Sequence, residues 1–307
     1  MTAPGAGPIV VTGAGGFIGR RLTAWLASGG APVTGWTRAD VDLRDRAAVA
    51  AAMEAASPAT IFHLAAAGVA AARAHDPKVV AEDVAMTEAV VASAPRGARL
   101  VIAGSVSEYG WSGRHREDDR CEPKTCYGMA RLAAGSLALA SGDRYGLDVT
   151  IARLYGVYGP GEAPQRLFPA LFDALSAGRP VALSDGEQRR DFVHVDDVCR
   201  ALAGIAAAPR ERRPAIINVG TGQAVRVRDA IEWVADALGA PRHLLEFGTR
   251  DRSPGDEDLL EADVRRLAAV LGSPPPQRLA PGLSLDLFTQ GAPAEAQPAV
   301  DPSPRGS

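Results

Sequence analysis

Residues 9–19 read Ile9-Val10-Val11-Thr12-Gly13-Ala14-Gly15-Gly16-Phe17-Ile18-Gly19, and this stretch decides the fold. Its first four residues form a short β-branched run that ends in glycine, the pattern of a buried strand. From Phe17 the apolar spacing turns helical: Ile18, Leu22, Trp25 and Leu26 share a face until Gly29-Gly30 stops the helix. A glycine turn between strand and helix leaves helix N–H groups free, and together with the helix dipole they suit a phosphate. Gly13 permits the tight turn, Gly16 lets the backbone approach a pyrophosphate, and Gly19 allows helix and strand to pack closely.

Moving outward, strand and helix signals alternate. Strands are expected at 32–36, 60–64, 99–103 and 149–153, and helices at 46–55, 83–94 and 127–144. Such alternation with short connections gives an α/β fold, a doubly wound parallel sheet covered on both faces. The rhythm loosens after Gly159-Pro160-Gly161. Helices at 167–177, 196–207, 228–238 and 263–271 and strands at 181–183 and 216–218 no longer repeat regularly. The chain therefore divides into a dinucleotide-binding domain (1–160), a smaller C-terminal α/β substrate region interleaved with the last core strands (161–288), and a tail (289–307). The tail is Ala, Pro, Gln and Ser without periodicity, so it is expected to be disordered.

The 307 residues are 47% hydrophobic and 22% charged, which excludes wholesale disorder. A net charge of −3 favours neither nucleic acid nor an anionic membrane. No apolar run is long enough to span a bilayer, and the N-terminus lacks the basic region of a secretion signal. Cys121, Cys126 and Cys199 form no CxxC pair, so neither zinc nor a disulfide framework is expected, and no other metal site. The cytoplasm is the expected compartment. Lys78 and Lys124 are the only lysines, so basic chemistry falls to arginine.

Five further segments complete a pattern with the glycine loop: His63-Leu64-Ala65-Ala66, Ser105-Val106-Ser107-Glu108-Tyr109-Gly110, Tyr127-Gly128-Met129-Ala130-Arg131, Val157-Tyr158-Gly159-Pro160-Gly161 and Arg190-Asp191-Phe192-Val193-His194-Val195-Asp196-Asp197. With them, residues 8–288 resemble the extended short-chain dehydrogenase/reductase family of nucleotide-sugar epimerases, dehydratases and ketoreductases, which has a Rossmann domain. The resemblance implies hydride transfer between a nicotinamide and a sugar carbon. Tyr127 would be the acid/base, Ser105 would hold the reacting oxygen, and Arg131 would stand where the family's YxxxK motif has lysine. It further implies cofactor contacts from Gly13, Gly16, Phe17, Ile18 and Gly19, from Asp42 and Leu43 beside the adenine, and from Leu64, Ala65, Ala66, Tyr127, Arg131 and Leu154. Substrate contacts would come from Ser105, Val106, Ser107 and Tyr127, with Arg190 and Arg252 on the diphosphate. Relatives commonly form homodimers through the helix that bears the tyrosine.

Tyr127 and Arg131 are i and i+4 and share a helix face, where a cation favours phenolate. Arginine cannot be deprotonated but can pair with ribose hydroxyls through its fork of donors. Retained activity, altered activity and a degenerate site remain three readings of Arg131, with retained activity favoured. Arg38 follows the second strand with no acid before Asp40, which favours NADP(H), with NAD(H) as the alternative. Ser105-Val106-Ser107 lacks the paired acids of the family's 4,6-dehydratases, and Glu108 is expected on the opposite face if the strand continues. These features favour an NADPH-dependent ketoreductase of a nucleoside diphosphate 4-keto-6-deoxysugar. An NAD-dependent 4-epimerase is the alternative, and a non-catalytic dinucleotide sensor the alternative of another class. His63 and His194 lie in apolar runs and read as structural histidines.

Overall fold

The computed structural model describes residues 7–69, 73–252 and 256–289. Beyond Thr289, the tail expected to be disordered lies outside the described residues. The strands are β1 (Ile9–Thr12), β2 (Val33–Trp36), β3 (Thr60–His63), β4 (Arg99–Ser105), β5 (Gly113–His115), β6 (Asp148–Leu154), β7 (Gly156–Tyr158), β8 (Val181–Leu183), β9 (Arg189–Arg190), β10 (Phe192–His194), β11 (Ile216–Val219), β12 (Val225–Arg226), β13 (Leu245–Phe247) and β14 (Leu259–Ala262). The helices are α1 (Phe17–Ser28), α2 (Arg46–Ala56), α3 (Lys78–Ser93), α4 (Cys126–Tyr145), α5 (Leu167–Ser176), α6 (Val195–Ala207), α7 (Val227–Ala237) and α8 (Arg265–Leu271).

Six strands form one parallel sheet in the order β11-β6-β4-β3-β1-β2. Both faces are buried. Val10, Ile61 and Leu100 face a cluster with Val49 and Met53 of α2, Val90 of α3 and Ala138 of α4. Their neighbours Val11, Phe62 and Val101 face Leu22 and Leu26 of α1 and Val198, Leu202 and Ile205 of α6. This is why the strands read as near-continuous apolar runs rather than alternating ones. The chain reverses direction across the sheet between β1 and β3, which opens a crevice beyond the carboxyl ends of the strands. Gly13, Leu64, Ser105 and Leu154 all lie at those ends, and Ser105 and Leu154 are register partners.

The later chain returns to this sheet. α6 covers one face and β11 pairs with β6, although both follow residue 160 in sequence. A third cluster, built on Tyr158, Phe168, Leu171, Phe192, Ile231 and Val234, joins α5 and α7. A four-stranded sheet, β12-β9-β14-β5, then links this region to the chain just after Ser105.

Candidate active site

The glycine loop has the geometry a pyrophosphate needs. Gly13 adopts φ +69°, and a Cβ there would meet the Ala65 backbone nitrogen at 2.7 Å. A Cβ on Gly19 would meet the Gly13 carbonyl oxygen at 2.1 Å, so α1 seats against the turn only with glycine there. No side chain caps the N-terminus of α1, which leaves its first N–H groups to a ligand. The bare loop and the open helix end fit a dinucleotide.

Beyond β2, Arg38 is exposed. The nearby acid is committed elsewhere: Asp40 accepts the Thr37 N–H at 2.9 Å and the Thr37 hydroxyl at 2.6 Å. Asp42 is bound by the Arg44 guanidinium, which holds its carboxyl well below the usual range, and Leu43 is buried.

Ser105 ends β4, and the chain turns there instead of continuing as strand. Residues Val106–Glu108 form a single 3₁₀ turn. The Ser105 hydroxyl oxygen accepts the Ser107 N–H at 3.1 Å, and Glu108 Oε1 accepts the Ser105 N–H at 2.8 Å. This reciprocal capping box fixes the serine. It also corrects the expectation for Glu108, which folds back into the protein because the strand does not continue. Glu108 is 1% exposed, and its Oε2 accepts Arg153 Nε at 2.7 Å. Arg153 in turn stacks over the Tyr109 ring at 4.7 Å, and the Tyr109 hydroxyl donates to Asn218 Oδ1 at 2.8 Å.

Tyr127 opens α4, whose N-terminus is capped by Thr125 accepting the Gly128 N–H at 3.0 Å. The Tyr127 N–H donates to the Ala74 carbonyl at 3.0 Å. The Ser105 side chain lies near enough to the Tyr127 phenol to lower its pKa, so the two expected catalytic groups stand in one site. Burial pushes the phenol up from its usual value, while Arg131 and Ser105 pull it partly back. Burial therefore outweighs the cation, and the phenol is held in its proton-bearing form.

Arg131 is 1% exposed. Its Nη1 donates to Asp83 Oδ2 at 2.8 Å and to the Ala65 carbonyl at 3.2 Å, and its Nη2 donates to the Ala103 carbonyl at 2.5 Å. One guanidinium thus ties α4 to α3, to β4 and to the segment after β3 that carries Leu64, Ala65 and Ala66. Its terminal nitrogens are engaged within the protein rather than presented as an open fork.

His63 is fully buried between the Thr12 hydroxyl at 2.8 Å and the Thr87 hydroxyl at 3.0 Å, and burial lowers it to about 3. It is structural. His194 is also structural: its Nδ1 accepts the Asp196 N–H at the start of α6, and Nε2 donates to the Leu287 carbonyl at 3.2 Å.

Arg190 lies on β9 and pairs with Asp256, and Arg252 pairs with Asp185 at 2.7 Å and Asp258 at 2.8 Å. Asp191 is buried and accepts N–H groups of Thr221, Gly222 and Ala262, so it shapes the backbone around Arg190. Glu257, next to Asp256, reaches Lys124 at 3.6 Å, three residues before Tyr127. The structure therefore places Ser105 near the Tyr127 phenol and sets the Asp256–Glu257 segment, which pairs with Arg190, beside Lys124 just before α4. Residues 253–255 of the segment after Arg252 lie outside the described residues. Among the described residues no group of three or more His, Cys, Asp or Glu is placed to hold a metal, and no helix is long and apolar enough to cross a membrane.

Asp83, Arg153 and Asn218 were not singled out from sequence. The signal was there in part: Asp83 shares the buried stripe of Val79, Thr87 and Val90, and Arg153 interrupts the apolar run of β6.

Residues 9–220 match the model of the NAD dependent epimerase/dehydratase family. The dTDP-6-deoxy-L-talose 4-dehydrogenase (NAD(P)(+)) of Kitasatospora kifunensis is 29% identical over 91% of this chain and 95% of its own length. The dTDP-glucose 4,6-dehydratase of Streptomyces griseus is 30% identical over 60% of this chain, and the chain spans about half of that relative's length, 54%. Among solved structures, MoeE5 in complex with UDP-glucose and NAD is 33% identical, with a TM-score of 0.76 over 88% of this chain and 94% of MoeE5.

Proposed function

This chain belongs to the NAD dependent epimerase/dehydratase family, the nucleotide-sugar enzymes of the extended short-chain dehydrogenase/reductase type, and from that premise we propose that it is an NADPH-dependent ketoreductase. Its substrate is a nucleoside diphosphate 4-keto-6-deoxysugar. The observation that carries the reading lies at the end of β2, where Arg38 is exposed and Asp40 is tied to Thr37. A guanidinium there suits a 2′-phosphate, and no carboxylate competes for ribose hydroxyls. NADPH is the form that a reductase spends.

When bound, the dinucleotide supplies the hydride that reduces the ketone. The rest falls to the chain. The Ser105 hydroxyl holds the carbonyl oxygen, and the Tyr127 phenol gives that oxygen its proton. The capping box from Glu108 keeps Ser105 in place. Arg190 takes the diphosphate from residues 161–288, with Arg252 as a second contact. Val106 and Ser107 stand where an elimination would need acids, so loss of water is not the reaction. The Kitasatospora relative, a 4-dehydrogenase of a 6-deoxysugar, supports this class. We place a homodimer contact on α4, where Met129 is 44% exposed. The three free cysteines fit a reducing cytoplasm.

A second reading, an NAD-dependent 4-epimerase, is favoured by the likeness to MoeE5 with UDP-glucose and NAD. The nucleotide released on denaturing the purified protein separates the two. A stoichiometric NAD would make it an epimerase. Dinucleotide-free protein that takes up NADPH in titration is the result expected of a reductase.

A further inference from the structure

Asp83 belongs to none of the motifs above, yet it is the most deeply placed acid near the reacting groups. Its side chain is fully buried, as is that of Arg131, and the pair meets at 2.8 Å. The Asp83 Oδ1 atom also accepts the Ala67 N–H at 2.9 Å. Burial pushes the Asp83 carboxyl up, and Arg131 is the largest influence holding it down. Arg131 itself lies one helical turn beyond Tyr127. A lone guanidinium in that position draws a phenol toward phenolate, the form that accepts a proton.

We propose that Asp83 is a positioning residue: by pairing with Arg131 it offsets the guanidinium charge beneath Tyr127 and helps keep the phenol a proton donor, as ketone reduction requires. For the direction of the reaction this rests on the proposed function; the pairing and its effect on the phenol do not.

The groups around the phenol come from each packed element. Arg131 comes from α4, Asp83 from α3, Ser105 from β4 and Glu108 from the turn that follows. Glu108 is already matched by Arg153. His63 from β3 senses Arg131 but is neutral through burial. Two buried ion pairs, each without net charge, therefore flank Tyr127. Removing Asp83 leaves Arg131 as an uncompensated cation.

Titration of tyrosinate absorbance in cofactor-free protein, with each variant's Tyr127→Phe counterpart subtracted, tests this. Asp83→Asn should lower the Tyr127 midpoint by about one pH unit or more. Asp83→Glu keeps the charge and should return the midpoint toward the wild type. An Asp83→Asn midpoint equal to the wild type would overturn the proposal, as would an Asp83→Glu midpoint displaced as far as that of Asp83→Asn. Should Asp83→Asn fail to fold, the apolar double variant Asp83→Leu/Arg131→Met carries the test. Its midpoint should stay near the wild type, because a neutral pair has been exchanged for neutral side chains. A rise of about one unit or more would mean that Arg131 acts on Tyr127 uncompensated, against the proposal. No substrate enters the titration, so the two readings fail separately: absence of ketone turnover sinks the reductase, an unmoved midpoint sinks this inference.

Discussion

Glu108 returns its carboxylate to the backbone N–H of Ser105, three residues earlier, at 2.8 Å. Its other oxygen is held by Arg153 at 2.7 Å. The position of the serine hydroxyl thus depends on a buried ion pair behind it. Removing one partner of such a pair costs about 3–5 kcal/mol, because the other charge is left buried alone. Glu108→Ala should therefore lower stability by roughly that amount. Urea unfolding midpoints of Glu108→Ala and of the double variant Glu108→Leu/Arg153→Met measure it. The double variant should recover much of the loss, and equal losses in both would mean that the pair does not act as a unit.

Tyr127→Phe deletes the phenol proton while sparing the packing of α4. General acid catalysis is typically worth about 10² to 10⁴ in rate, so turnover should fall by that factor. Dinucleotide binding should stay near the wild-type value. Full turnover by Tyr127→Phe would remove this tyrosine from the chemistry.

Arg190→Ala should weaken the nucleotide sugar and leave the cofactor alone. A charge-assisted hydrogen bond contributes roughly 1.5–3 kcal/mol. That corresponds to about ten-fold or more in the substrate dissociation constant. Calorimetric titration of both ligands into wild type and variant shows whether the loss is selective. Unchanged substrate affinity would leave Arg190 as a partner of Asp256 only.

His63 gives stability a defined pH dependence. Its folded value is depressed to about 3, whereas an unfolded histidine takes up a proton below about 6.5. Between those values the unfolded chain binds the extra proton, so stability is full above the upper limit and falls as pH drops. The slope reaches about 1.4 kcal/mol per pH unit at most. Unfolding midpoints from pH 7 to pH 4 should fall less steeply for His63→Gln than for the wild type. Parallel slopes would show that His63 does not contribute.

The sheet was legible because its strands are buried on both faces and bounded by glycine or a helix cap. β1, α1, β3 and α2 sit within a residue of where periodicity puts them. α3 starts at Lys78, earlier than the expected 83, because Asp76 accepts the Lys78 N–H at 3.0 Å and begins the helix ahead of its apolar stripe. β5, β9, β12 and β14 were not legible. They are two to four residues long and pair across distant parts of the chain, so local periodicity carries no sign of them. Ser105 and Tyr127 were readable as motifs. Glu108 reaches Ser105 through a local S-x-x-E capping box, whereas its pair with Arg153 and the Asp83–Arg131 pair join distant parts of the chain, so sequence showed only the residues and not their partners.

The proposed preference for NADPH rests on Arg38. Arg38→Ala should weaken NADPH by about ten-fold or more and leave NADH unchanged, since only the 2′-phosphate contact is lost. Fluorescence titration of both dinucleotides into both proteins is sufficient. Equal wild-type affinities for NADPH and NADH would refute the assignment.

The most direct measurement is NADPH oxidation by the wild type, followed against a panel of nucleoside diphosphate 4-keto-6-deoxysugars. The account predicts stoichiometric loss of NADPH with at least one of them, giving the 4-hydroxy product, and strongly reduced loss with Tyr127→Phe. Conversion of a nucleotide sugar into its C4 epimer with no net consumption of dinucleotide would contradict it.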